Sequence, residues 1–355
     1  MTSTEIIRVV SLPGDGIGPE VCGEAIKVLK AVCKRIARPL EVIEMPIGGV
    51  ALDAGDAALP EKTKAACLKA DAVLLGAVGL PKYDGVPGDR RPEKGLLDLR
   101  KALGVYANLR PVRSFPALID SSPLKREIVQ GTDMMVVREL LGDVYFGEPR
   151  SVDAERGVNT MVYTVPEVRR IAKMAFELAR ARRKKVTSID KANVLECSQL
   201  WRRVVNELHK EQYSDVTLEH QYVDSAAMDL IRNPRRFDVI VTGNLFGDIL
   251  TDEAAVLPGS IGLLASASLG DGPGLFEPIH GSAPDIAGKG IANPLGAIGS
   301  VAFMLNTSLK LPSQAALVEQ AIDKVLNEGY RTKDLGGNVS TTEMGDLVCQ
   351  ALESQ

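Results

Sequence analysis

Short β-branched runs alternate with amphipathic stretches over most of this chain, and that alternation is the strongest constraint on its fold. IIRVVSL leads into PEVCGEAIKVLKAVCKRI, LEVIEM leads into LPEKTKAACLKA, and DAVLLGAVG follows. Within the first amphipathic stretch Val21, Ala25, Val28, Leu29, Val32 and Ile36 recur at helical spacing and form one apolar stripe. Strands separated by helices pair in parallel, because a crossover is needed to return the chain to the same end of a sheet. The order predicts an α/β protein with an open, largely parallel sheet covered by helices.

The pattern is interrupted at LPKYDGVPGDRRPEKG, a Gly/Pro/Asp-rich loop long enough to suggest a functional role. Strands are expected again in YANLRPVRSF and DMMVVREL. GDVYFGEPRSVDAERGVNTMVYT then reads as a protruding hairpin with a turn-rich centre at residues 153–157. Such a hairpin would expose Tyr145, Phe146, Met161 and Tyr163, and a second copy of the chain is the simplest cover for them. βα alternation resumes to about residue 257; a loop-rich stretch, residues 258–294, and three helices close the chain.

At 355 residues, 45% of them apolar and 25% charged, the chain suits two ordinary globular domains. Its net charge of −4 provides no global positive field to recruit nucleic acid or an anionic membrane, so an anionic small molecule must be met by a local basic pocket. The basic segment EVRRIAKMAFELARARRKK places Ile171, Met174, Ala175 and Leu178 on one face, as in a core-packed helix with a solvated basic side. Five cysteines, an odd number without metal-ligand spacing, together with an N-terminus that lacks a basic and apolar leader, point to a reducing, cytoplasmic location and no membrane span.

Chemistry concentrates where strands are expected to meet helices, the end of an α/β sheet at which ligands bind. GNLFGDILTDEAA puts Asp248 and Asp252 four residues apart on one helix face, where two like charges call for a compensating cation unless they are solvent-facing acids that complement the helix dipole. HQYVDSAAMDL adds Asp224 and SIDKANVLE adds Lys191 at equivalent positions. Three aspartates without nearby His or Cys form an oxygen donor set for a hard divalent ion, not for zinc. A partly buried lysine beside such a metal can lose its proton and act as a base. Arg100, Arg110 and Arg138 lie near element ends; each read alone is an ion-pair partner, but three converging forks would suit a dicarboxylate. SLPGDGIGPE has Pro19 where the third glycine of a dinucleotide turn belongs, so the Rossmann fingerprint is not met. In EPIHGSAPDIAGKGIANP a small-residue backbone can lie against a planar ligand, His280 offers a ring, and Asp285 can accept from a ribose diol.

GDGIGPE, NLRP, VVREL, GDVYFGEPR, SIDKANVLE, HQYVDSAAMDL, GNLFGDILTDEAA and EPIHGSAPDIAGKGIANP, in this order over roughly residues 6–350, resemble the isocitrate/isopropylmalate dehydrogenase family of β-decarboxylating dehydrogenases. The resemblance implies a non-Rossmann open sheet in two domains. Residues 1–105 plus 259–355 would form the cofactor-side domain, and residues 106–258 a dimerisation domain with a hairpin arm at about 140–163. It also implies NAD, Mg2+ or Mn2+, a small-molecule substrate and a homodimer with shared active sites. By the same resemblance Arg100, Arg110 and Arg138 would hold substrate carboxylates. Asp248 and Asp252 would hold the metal, joined by Asp224 of a second subunit, which also touches substrate. Lys191, also supplied by the partner copy, would be the base at the C2 hydroxyl, and Tyr145 would protonate the enolate left after CO2 departs. His280, Gly281, Ser282, Ala283, Pro284, Asp285, Ile286 and Asn293 would line the NAD site, with Asp285 and Ile286 selecting NAD over NADP.

Within the family, substrate choice rests on what faces the C3 substituent. Leu96, Leu97 and Val194 suit an isopropyl group, and Glu93 would repel the extra carboxylate of isocitrate. The expected reaction is oxidation and decarboxylation of (2R,3S)-3-isopropylmalate to 4-methyl-2-oxopentanoate, a step of leucine biosynthesis. A sibling acting on tartrate, malate or homoisocitrate is the alternative enzyme; a regulatory subunit without activity is disfavoured by the retained Tyr145, Lys191 and three aspartates. Leu80, Tyr83 and Val158 depart from the family pattern but carry none of these roles.

Overall fold

The computed structural model describes residues 6–354, so the leader reading at residues 1–5 lies outside the described residues. Among the described residues twelve strands are formed: β1 (Ile7–Gly14), β2 (Leu40–Glu44), β3 (Ala72–Ala77), β4 (Val105–Arg113), β5 (Asp133–Glu139), β6 (Ser151–Val152), β7 (Gly157–Val158), β8 (Lys185–Asp190), β9 (Thr217–Tyr222), β10 (Val239–Thr242), β11 (Ala265–Gly270) and β12 (Gly274–Pro278). The chain divides into two compact units. Unit 1 comprises Met1–Val105, Phe115–Ser121 and Ser260–Gln355; unit 2 comprises Tyr106–Ser114 and Ser122–Gly259.

In unit 1 the strand order is β2-β1-β3-β12-β11, parallel except for the antiparallel β11–β12 pair. The Gly18–Arg35 helix buries Val21, Ala25, Val28, Leu29 and Val32 as its spacing predicts, and stops one residue before Ile36, which remains half-buried. Val10, Leu12, Val73, Leu75, Leu99, Leu103 and Leu275 pack into one apolar cluster. Burying side chains of this size contributes roughly 1.5–3 kcal/mol each.

In unit 2 the order is β4-β5-β10-β8-β9, parallel apart from the β4–β5 pair. Arg138 is in register with Thr242, Thr242 with Ile189, and Asp190 with Tyr222, so the carboxyl ends of β5, β10, β8 and β9 are level. Whatever follows those strands is delivered to one end of the unit. The Val165–Arg180 helix buries Ile171 and Ala175 as expected, together with Ala172, Phe176 and Ala179, while Met174 and Leu178 are half-buried at the edge of the packed face.

The hairpin differs from its expectation. Its ladder is only two residues long on each side, Ser151 with Val158 and Val152 with Gly157. Tyr145, Phe146, Met161 and Tyr163 are half-buried within the chain instead of exposed. Tyr163 packs edge-on against Trp201 with ring centroids 5.3 Å apart and donates from its hydroxyl to Asp143 Oδ2 at 3.1 Å. Trp201, on the Glu196–Gln212 helix, covers Tyr163, while the exposed apolar side chains include Val152 and Val162 of the hairpin segment itself as well as Met228, Ile249 and Val256. Among the described residues no helix is long and apolar enough to cross a membrane. All five cysteines are free thiols.

Candidate active site

Unit 2 assembles a compact cluster around two carboxylates. β10 ends at Thr242 and the Asn244–Ala254 helix begins two residues later, so Asp248 and Asp252 lie on successive turns of one face. Arg110, from β4, donates through Nη1 to Thr251 Oγ1 at 2.7 Å and Asp252 Oδ1 at 3.3 Å, and its Nη2 lies 3.8 Å from Asp248 Oδ1. Arg138, from the end of β5, donates through Nη1 to Asp248 Oδ1. The Tyr145 hydroxyl donates to Asp248 Oδ2 at 2.8 Å, and the Arg138 guanidinium lies 5.5 Å from the centre of the tyrosine ring. Burial, then the Asp248 carboxylate, raises the Tyr145 phenol above its ordinary value, so it keeps its proton. Gly247 is required here, because a Cβ would stand 2.6 Å from Arg138 Cγ.

A second pair stands at the neighbouring strand ends. Lys191 follows β8, and its Nζ donates to Asp224 Oδ1 at 2.5 Å; Asp224 opens the helix after β9. The hydrogen bond from Lys191 holds the Asp224 carboxyl below its usual range. Asp190, buried at the end of β8, is gripped by Arg202 at 2.9 and 2.7 Å, which fixes the turn that presents Lys191. Val194, in that turn, is 60% exposed. Among the described residues no three His, Cys, Asp or Glu side chains converge, so Asp224 does not join Asp248 and Asp252 within one chain. The donors present fit a hard divalent cation: two carboxylates on one helix face, with arginines now compensating their charge.

Unit 1 carries the remaining candidates. Arg100, expected to be a substrate fork, donates through Nη2 to Glu277 Oε1 at 2.8 Å; the two side chains are only 12% and 10% exposed, and Arg100 Nε is buried without a partner. Of the expected apolar wall, Leu96 packs against the core cluster and Leu97 is half-buried. Glu93, in the first turn of the Pro92–Leu103 helix, is exposed.

The loop after β12 is firmly tethered. Gly16 has φ +60°, and a Cβ there would stand 1.9 Å from the Ser282 carbonyl oxygen. Ile17 N donates to that oxygen at 2.8 Å, and Gly288 N and Gly290 N donate to the Glu20 carboxylate. The glycines of GDGIGPE therefore admit another stretch of this chain's backbone. Asp15 is likewise structural: its buried carboxylate accepts from Gly49 N, Val50 N and Gly79 N at 2.8, 2.9 and 2.8 Å. His280 shares a hydrogen bond through Nδ1 with Gly281 O at 2.9 Å; its Nε2 is buried without a partner, and burial pushes its pKa down. A neutral ring that donates through Nδ1 leaves Nε2 an acceptor, which fits the amino group of an adenine. Asp285 is exposed, and Gly281, Ala283, Pro284 and Ile286 line the same loop. The Asn293 side chain is occupied internally, donating to Asp334 Oδ2 at 3.0 Å and accepting from Leu295 N at 3.0 Å.

The family model for isocitrate/isopropylmalate dehydrogenase matches residues 8–348. The chain belongs to this family. Among isocitrate/isopropylmalate dehydrogenase relatives, the 3-isopropylmalate dehydrogenase of Aquifex aeolicus is 54% identical over 98% of this chain and 97% of its own length. That of Thermotoga maritima is 54% identical over 98% and 99%. The solved isocitrate dehydrogenase of Methylococcus capsulatus superposes with a TM-score of 0.86 at 34% identity, covering 98% and 99% of the two chains. A β-decarboxylating dehydrogenase of Thermococcus kodakarensis gives 0.81 at 38% identity, covering 98% and 96%.

Of the residues that the sequence singled out, the structure brings together Arg110, Arg138, Tyr145, Asp248 and Asp252, and separately Lys191 with Asp224, but the sequence reading did not extend to their supports. It missed Asn108 and Asn244, which hold Arg110 and Arg138, and Glu277, which holds Arg100. Asn244 and Glu277 lie inside motifs already singled out, so the available signal was a polar residue at a strand end.

Proposed function

We propose that this dehydrogenase oxidises and decarboxylates (2R,3S)-3-isopropylmalate to 4-methyl-2-oxopentanoate and CO2, a step of leucine biosynthesis, with NAD and Mg2+ or Mn2+. The observation that carries the reading is the cluster in which two arginines and a protonated tyrosine surround Asp248 and Asp252. Near-full-length similarity to relatives named 3-isopropylmalate dehydrogenase supports the substrate.

Arg110 and Arg138, with Arg100, bind the two substrate carboxylates; each fork offers paired donors in a plane that matches a carboxylate. Asp248 and Asp252, with Asp224 of a second copy, would hold the cation. When bound, the cation supplies positive charge beside the C2 oxygen and NAD supplies the hydride acceptor. Lys191 takes the C2 hydroxyl proton through water. Oxidation precedes decarboxylation, because the C2 ketone is the electron sink for cleavage of the bond to CO2. Tyr145 then delivers its proton to C3 of the enolate, the charged form of the phenol being disfavoured until that moment by burial and by Asp248. Leu96, Leu97 and Val194 receive the isopropyl group and Glu93 disfavours isocitrate. His280 to Ile286 and Asn293 seat the cofactor, Asn293 through its backbone, and the Asp285 carboxylate suits a ribose diol and repels a 2′-phosphate.

The working form in this reading is a cytoplasmic homodimer with residues 106–258 as its dimerisation domain and residues 140–163 as its arm. Two observations support it. One chain does not bring Asp224 to Asp248 and Asp252, and Met228, Ile249 and Val256 expose 54%, 60% and 45% of their surface on two packed helices and the turn that follows them. Turnover of the purified protein on isopropylmalate, isocitrate and D-malate, each with NAD or NADP and with Mg2+ or excess chelator, tests the proposal. Preference for isocitrate or D-malate, or full rate in chelator, overturns it.

A further inference from the structure

Asn244 is the first residue of the Asn244–Ala254 helix and is 1% exposed. Its Oδ1 accepts two hydrogen bonds from one guanidinium, from Arg138 Nε at 3.0 Å and Nη2 at 2.7 Å. Its Nδ2 donates to Leu140 O at 3.0 Å and Gly142 O at 3.4 Å, in the segment that leads from β5 to Tyr145. Its backbone N donates to the Tyr163 hydroxyl at 2.8 Å. The orientation of the amide is unambiguous, since an arginine has only donors and a carbonyl only lone pairs. One buried side chain thus ties together the helix that carries Asp248 and Asp252, the strand end that carries Arg138, and the segment that carries Tyr145.

We propose that Asn244 is the positioning residue of this site: its neutral carboxamide locks the Arg138 fork and directs Nη1 into the cluster, without adding a second carboxylate to the Asp248 with which that guanidinium already pairs. The inference rests on the function proposed above and adds a determinant of substrate affinity. Chemistry explains the residue type. An aspartate would accept the same two hydrogen bonds but give Arg138 a second carboxylate besides Asp248 and set a negative charge against the Leu140 and Gly142 carbonyls. A serine would be too short to reach the fork, and glutamine would displace it by a methylene. Gly247 completes the arrangement by leaving room for the Arg138 stem on the same helix.

The test begins with the wild type, which establishes which of isopropylmalate, isocitrate and D-malate is the substrate; the variants are then read on that substrate, so failure of the functional reading is seen separately. N244A is expected to raise KM for the substrate about tenfold or more while KM for NAD stays within about twofold, the signature of lost substrate binding. N244D, which preserves volume, is expected to raise the substrate KM as well, and it decides alone if N244A does not fold. In a R138K background, N244A should add almost nothing, because the fork it positions is gone. Calorimetric titration with substrate and Mg2+ in the absence of NAD should show the same weakening. A substrate KM within about twofold of wild type in the folded variants, or a fall in kcat and thermal midpoint at unchanged KM, overturns the proposal and leaves Asn244 a packing residue.

Discussion

Lys191 Nζ meets Asp224 Oδ1 at 2.5 Å, yet Asp224 does not join Asp248 and Asp252 in any three-carboxylate group of the same chain. Each chain would then hold two halves of different sites. Mixing inactive Lys191→Ala with inactive Asp248→Asn subunits should restore activity, because one site of the heterodimer receives both intact groups. Measured turnover of the isolated heterodimer at the level of the parent homodimers would refute site sharing.

Tyr145 is the only proton donor hydrogen-bonded to Asp248 among the described aromatic residues. Tyr145→Phe should lower kcat by about 10²–10⁴, the usual contribution of a positioned acid, with substrate KM changed little. Steady-state kinetics at saturating cofactor check this. A kcat within a few-fold of wild type would remove Tyr145 from the mechanism.

Asp285 and Ile286 stand on a loop held by Ile17 and Glu20. Asp285→Lys combined with Ile286→Tyr should shift the kcat/KM ratio toward NADP by about tenfold or more, roughly 1.4 kcal/mol per tenfold. The contrast is measured with both cofactors on both proteins. Equal use of NADP and NAD by the wild type would show that Asp285 does not select.

Glu139 is fully buried beside Arg138, and burial, opposed by donors from Leu141, Gly142 and Arg170, pushes its carboxyl up to about 6 from 4.5. The folded state therefore holds the proton more tightly than the unfolded chain. Stability from this group is greatest below pH 4.5 and declines as pH rises to about 6, after which the ionised form costs about 2 kcal/mol. Glu139→Gln removes that pH dependence. Its stability relative to wild type should improve by up to about 2 kcal/mol between pH 4.5 and 7 in denaturation series. A difference that stays flat with pH would show that Glu139 does not titrate in this window.

The repeating βα order, the apolar stripe of the first long helix and the Asp248–Asp252 pair were legible from sequence, because each depends on local periodicity: period 2 for strands, 3.6 for helices, and one helix face at spacing four. Level strand ends also follow from that order, which is why residues picked at predicted strand ends converge in unit 2. What the tertiary structure decided is which groups satisfy one another. Arg100 with Glu277 are 177 residues apart, Arg138 with Asn244 are 106 apart, and the Gly16 backbone rests on Ser282. No periodicity encodes such pairs; they exist because a buried charge or polar group takes the nearest partner the fold brings to it. The aromatics of the hairpin show the same limit. Their place in a hairpin marked them as exposed, but Trp201 packs on Tyr163 and Asp248 accepts from Tyr145, while Val152 and Val162 of the same segment stay exposed.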